Sequence, residues 1–176
     1  GDPIPNSVII WTRVTVSPEA VPGSGVGADV DVRWEIATDR EFTNVVRSGT
    51  QRATAKTDHT VKVDPNGLQP GTDYFFRFHY NGQTSPIGAT HTAPAFEADL
   101  EQYNLAIASC ANYECGYFTA YRDMAERAEA GDIDLVIFLG DYIYEYPTGE
   151  YAGKSGVSRP HHPAHEITTL ADYRIG

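Results

Sequence analysis

The chain has 176 residues, enough for one large domain or two small ones, and its 41% hydrophobic and 21% charged residues exclude wholesale disorder. The net charge of −11 argues against sequence-independent nucleic-acid binding, which needs a basic face. No apolar run approaches the roughly 20 residues that a membrane span requires.

Residues 1 to about 96 read as short strand-like segments split by Gly, Pro, Asn and Asp. The segments are Ser7–Val16, Val30–Ala37, Asn44–Ser48, Thr57–Val63, Asp73–Tyr80 and Gly88–Thr92. Strands at this spacing predict an antiparallel β-sandwich. DPNG at 64–67 and QPGT at 69–72 are turn chemistry. The run from Leu68 to Tyr74 looks like a fibronectin III corner, in which the Tyr74 hydroxyl returns to nearby backbone. Trp34 is the expected core aromatic. No cluster of exposed aromatics or charges marks a binding face, so a spacer or packing platform is preferred over a ligand-binding module. Ala93 to Ala98 reads as a linker, placing a first domain at 1–96 and a second region at 97–176.

The second region opens with strand, helix, strand. Asn104–Ser109 and Asp134–Gly140 are continuous apolar runs, which suit parallel strands covered on both faces. Between them Phe118, Tyr121, Met124, Ala125 and Ala128 recur at helical spacing, and Gly131 stands where a C-terminal cap belongs. In such a unit ligands collect beyond the carboxyl ends of the strands. Cys110 leaves the first strand there, and Asp141 leaves the second with Tyr144 three residues on. A thiol, a carboxylate and a phenol are all anionic metal ligands once deprotonated. Against this stand an N-cap role for Asp141 and a structural phenol for Tyr144. Two cysteines, Cys110 and Cys115, also leave a disulfide open.

From Pro147 to Gly176 the chain reads as a long loop, with Thr168–Arg174 able to start a helix. Arg159, His161, His162 and His165 could approach a phosphate after loop closure, but Pro163 opposes a zinc-type helix between His161 and His165. Asn112, Tyr113 and Glu114 line the loop after Cys110 and are within reach of a substrate there, or serve simply as loop polarity.

SCANYECGYFTAY at 109–121 and DLVIFLGDYIYEY at 134–146 resemble the PhoD-type alkaline phosphatase and phosphodiesterase family, a branch of the calcineurin-like metallophosphatases. GDPIPNSVIIWTRV, GLQPGTDYFFRF and TTLADYR fit the same pattern in the same order, so the resemblance covers nearly the whole chain. It implies a fibronectin III-like (Ig-like) sandwich followed by the first β-α-β unit of an α/β metallophosphatase domain. It implies ferric iron and calcium as cofactors, with Cys110, Asp141 and Tyr144 as metal ligands, Asp141 as the catalytic residue and the remaining ligands outside this chain. Cys115 departs from the histidine usual there, so Cys110 is favoured as ligand over a Cys110–Cys115 disulfide. Asn112, Arg159, His161, His162 and His165 are the candidate contacts to substrate.

The implied activity is hydrolysis of phosphate esters, with a phospholipase D-like phosphodiesterase as the alternative within the family. A fibronectin-like binding or adhesion module with a degenerate catalytic remnant is the alternative from another class. Members of the family are exported, commonly by a twin-arginine signal, so a secreted, periplasmic or cell-wall location is implied. No such signal is visible at the GDPIP start. A single β-α-β unit cannot build a doubly covered sheet, so the chain reads as an N-terminal portion that is expected to be inactive alone.

Overall fold

A computed structural model describes residues 1–175; the last position of the 97–176 region lies outside them. The chain divides into two compact units, Gly1–Asp99 and the residues from Leu100 onward.

The first unit is a β-sheet region. β1 (Ile10–Arg13) pairs antiparallel with β4 (Thr60–Val63). The second sheet contains β2 (Val30–Ala37), β3 (Val45–Ala53), β5 (Asp73–Tyr80), β6 (Gln83–Thr84) and β7 (Gly88–His91). Its order is β3-β2-β5, with β6 and β7 both paired to β5 and every pairing antiparallel. Ile10, Val61 and Val63 from one sheet meet Val32, Ile36, Tyr74 and Phe78 from the other in one buried cluster. Alternation explains the contribution of β2, because Val30, Val32, Trp34 and Ile36 share one face. Trp34 is half-buried at the margin of this cluster rather than at its centre, lying over Gly49, its cross-strand partner on β3. The fully buried centre is held by smaller branched residues, Ile10, Ile36, Val32 and Val61.

Two local features have clear causes. The Tyr74 hydroxyl, on a side chain only 2% exposed, accepts the Gln69 backbone N–H at 2.8 Å. Asn81 and Gly82 join β5 to β6 with positive φ at both positions (48° and 75°), the geometry of a two-residue type I′ hairpin. That Asn-Gly turn is the signal for β6, which the reading above omits.

In the second unit, β8 (Leu105–Ala108) and β9 (Leu135–Phe138) form a parallel pair, Leu105 opposite Leu135 through Ala108 opposite Phe138. α1 (Thr119–Glu129) supplies the crossover. It ends in a Schellman motif: the Gly131 N–H bonds the Ala128 carbonyl, the Asp132 N–H bonds the Arg127 carbonyl, and Gly131 has φ 84°. Phe118, expected on the helix face, is the N-cap with φ 54°, and its ring lies against Tyr113 and Tyr121.

The expectation of strands covered on both faces is not met within the described residues. Leu105 is 50% exposed and Ile107 63% exposed. A two-stranded sheet with one crossover helix has too few elements to cover both of its faces. α2 (Leu170–Ile175) follows a long irregular segment. A capping box starts it, with the Asp172 carboxylate accepting from the Thr168 and Thr169 N–H groups and the Thr169 hydroxyl accepting from the Asp172 N–H.

Candidate metal centre

The parallel pair sets the positions of the chemically useful side chains. Pairing continues past the strands: the Cys110 N–H donates to the Gly140 carbonyl at 3.0 Å and the Ala111 N–H to the Asp141 carbonyl at 2.8 Å. The two chains therefore leave the sheet side by side. Both residues at that exit sit in the left-handed region, Cys110 at φ 63° and Asp141 at φ 54°. Non-glycine residues rarely adopt this conformation, and backbone strain of this kind gathers at functional sites.

The turn brings three side chains together. The Cys110 Sγ–H donates to Asp141 Oδ2 at 3.6 Å, and the Tyr144 hydroxyl lies 3.5 Å from the same oxygen. These are long polar contacts around one shared carboxylate oxygen. The Tyr144 phenol is pushed up to about 12, by burial first, then by the Cys110 hydrogen bond and charge, then by Asp141. Three acidic groups around one point resist joint deprotonation, and a multivalent cation reverses that balance. The donor set therefore suits a cation. Among the described residues no group of three His, Cys, Asp or Glu side chains could hold a metal.

Both cysteines are free thiols and both are exposed. The Cys115 Sγ–H donates to the Tyr151 carbonyl at 3.4 Å. Cys110, Cys115, Asp141 and Tyr144 all line one open cleft.

Of the other candidates, Asn112, His161 and His162 share the wall of a second cavity with Tyr144, and Arg159 and His165 lie outside it. Both ends of the Asn112 amide are engaged: Oδ1 accepts from the Glu114 N–H at 2.9 Å and Nδ2 donates to the Tyr151 carbonyl at 3.1 Å. The Arg159 guanidinium stacks over Tyr113 at 3.9 Å and Phe118 at 4.6 Å. His165 pairs with Asp172 at 3.2 Å. His161 and His162 line this second cavity of about 750 Å³, whose wall also includes Tyr144 and Tyr151. His161 stands 3.8 Å from Glu114, which is 3% exposed. The burial of Glu114 and the double use of the Tyr151 carbonyl have no periodic signature in the sequence. Only the position of Glu114, just beyond a strand exit, pointed to it.

Residues 1–94 match the family described as the PhoD-like phosphatase N-terminal domain, and residues 105–175 match the PhoD-like phosphatase family. The chain belongs to the PhoD-like phosphatase family. It is 45% identical over 175 residues to alkaline phosphatase D of Bacillus subtilis (strain 168), covering 99% of this chain and 29% of that protein. It is also similar to the structure titled "Structure of PhoD", with a TM-score of 0.89 and 44% identity, over 99% of this chain and 32% of that one. This PhoD-like chain thus spans about a third of the length of the relatives it matches.

Proposed function

We propose that this chain carries the opening part of the metal site of a metal-dependent phosphoric ester hydrolase. The observation that carries this reading is the convergence of Cys110, Asp141 and Tyr144 where two paired parallel strands end. Kinship to alkaline phosphatase D supports the reaction class. Cys110, Asp141 and Tyr144 would hold ferric iron, with calcium ions held jointly with ligands from outside the chain. When bound, such cations supply positive charge for the phosphoryl oxygens and for the charge that develops in the transition state. Asp141 orients the cradle, since both other side chains meet its Oδ2. With ligands required from outside it, the chain alone is inactive.

The finer fold assignment belongs to the same proposal. Residues 1–96 form a fibronectin III-like sandwich and residues 97–176 begin the catalytic domain. The β3-β2-β5-β7 arrangement beside β1-β4, and the Tyr74 corner, support it. The protein acts outside the cytoplasm, a reading that rests on resemblance. Among the described residues no helix is long and apolar enough to cross a membrane.

The test is phosphate release from aryl phosphate monoesters and diesters by the full-length protein, before and after chelation and on adding back iron and calcium. Activity abolished by chelation and restored by metal supports the reading. Hydrolysis indifferent to chelation, or no hydrolysis by the metal-loaded protein, overturns it.

A further inference from the structure

Among the described residues, Glu114 and Asp172 are the two buried charged side chains of the second unit. Asp172 serves its own helix. Glu114 serves a distant segment, because burying a carboxylate demands partners and its partners come from far along the chain. Both of its carboxylate oxygens accept the Gly149 N–H, at 3.1 and 3.2 Å. His161 Nε2 lies 3.8 Å from Oε1. The Glu114 carbonyl accepts the Ser158 N–H at 2.9 Å, while its own N–H is capped by Asn112. The segment that follows β9 thus returns three times to one residue, at 149, 158 and 161. The neighbours of Glu114 add to the attachment, since Asn112 and Cys115 both donate to the Tyr151 carbonyl.

The same contacts sort the basic side chains of this segment. Arg159 stacks on the Tyr113 and Phe118 rings with its buried Nε and Nη2 lacking hydrogen-bond partners, and His165 pairs with Asp172. His161 stands beside Glu114, with Nε2 3.8 Å from Oε1, and lines the cavity whose wall includes Tyr144. An imidazole there can donate an N–H to an anionic oxygen.

We propose that Glu114 is a positioning residue, whose buried carboxylate and main-chain carbonyl together hold residues 147–162 against the turn after Cys110 and thereby present His161 to a phosphoryl oxygen in the Tyr144 cavity. The identity of the ligand rests on the phosphatase reading above; the attachment does not. Glu114 lines the same cavity, but its carboxylate would repel a phosphoryl oxygen, so it acts on the ligand only through His161.

The experiment uses the full-length, metal-loaded protein. In Glu114→Gln, whose amide is a weaker acceptor than the carboxylate, amide exchange at Gly149 should quicken at least about tenfold, and that at Ser158, bonded to the main-chain carbonyl of Glu114, should quicken less. KM for an aryl phosphate should rise about tenfold, more than kcat falls, with bound metal unchanged. His161→Gln should raise KM to a similar degree while Gly149 stays protected. The double variant should be little worse than Glu114→Gln alone, because both changes break one arrangement. Unchanged exchange in Glu114→Gln, unchanged KM in His161→Gln, or loss of metal in Glu114→Gln would each overturn the proposal. If Glu114→Gln does not fold, His161→Gln still decides the ligand contact. If the wild-type protein hydrolyses no phosphate ester, the phosphatase reading fails. The attachment is then decided by exchange, and the role of His161 by its effect on affinity for inorganic phosphate.

Discussion

Cys110 and Asp141 leave the ends of paired parallel strands together, both at positive φ, with the Cys110 thiol 3.6 Å from Asp141 Oδ2. Thirty-one positions separate them in the chain. The hydrogen bonds from Cys110 to Gly140 and from Ala111 to Asp141 bring them side by side. A thiol is a weak partner for a carboxylate, so this arrangement contributes little to the stability of the fold.

If iron binds this cradle, the full-length protein should absorb visible light, because thiolate and phenolate transfer charge to an oxidising ion. Asp141→Asn should lower kcat by about 100-fold or more, since it weakens the group that both neighbours touch. Tyr144→Phe and Cys110→Ser should fade or shift the band; Cys115→Ser should leave it in place. Thiol titration of metal-stripped, denatured and unreduced protein should count two thiols, matching the free Cys110 and Cys115. An active, colourless enzyme containing zinc alone would refute the iron assignment.

Tyr74→Phe removes the acceptor of the Gln69 N–H and leaves that part-buried donor without its protein partner. The expected loss is about 1 kcal/mol or somewhat more, read as a lower denaturation midpoint of the first unit. An unchanged midpoint would dismiss the corner as a source of stability.

Gly49 lies under the Trp34 indole. A methyl group there would come within 2.7 Å of the ring, so Gly49→Ala must displace a large, rigid side chain. The cost should be about 1–3 kcal/mol by overpacking. Pairing Gly49→Ala with Trp34→Leu should recover part of it, and denaturant unfolding of both variants measures the recovery.

The Asp172 carboxyl is held down at about 2, against an ordinary 3.8, by hydrogen bonds from Thr169 first and then from Thr168 and His165. Its folded-state value is depressed, so its contribution to α2 is complete above the ordinary value. That contribution is lost as the pH falls through about 2. Protection of the Tyr173 amide, whose N–H bonds the Thr169 carbonyl, taken as its exchange rate relative to an unstructured amide at the same pH, should fall across that window and do so less in Asp172→Asn. Protection that does not change with pH in the wild-type protein would count against the cap.

Limited proteolysis of the native protein should cut first near residues 93–100, where Phe96 is 90% exposed and Leu100 50% exposed. First cuts within 30–80 would move the proposed boundary.

The sequence by itself determined the elements whose cause is local. β2 and β5 run over the spans that alternation and aromatic content predict, Val30–Ala37 and Asp73–Tyr80. The end of α1 follows from Gly131, since left-handed geometry suits a residue without a side chain. The placing of Cys110 and Asp141 just beyond two apolar runs was also legible, because parallel strands present their carboxyl ends together.

Tertiary structure alone decided the rest. Trp34 is marginal because Gly49 opens a slot across the strand, and no periodicity records a cross-strand partner. Arg159 is drawn onto Tyr113 and Phe118, and His165 onto Asp172, by contacts that span seven to dozens of residues. Glu114 reads as one more loop carboxylate until the chain from Gly149 to His161 folds back over it. Burial depends on what arrives from elsewhere, and a residue's own neighbours in sequence do not carry that information.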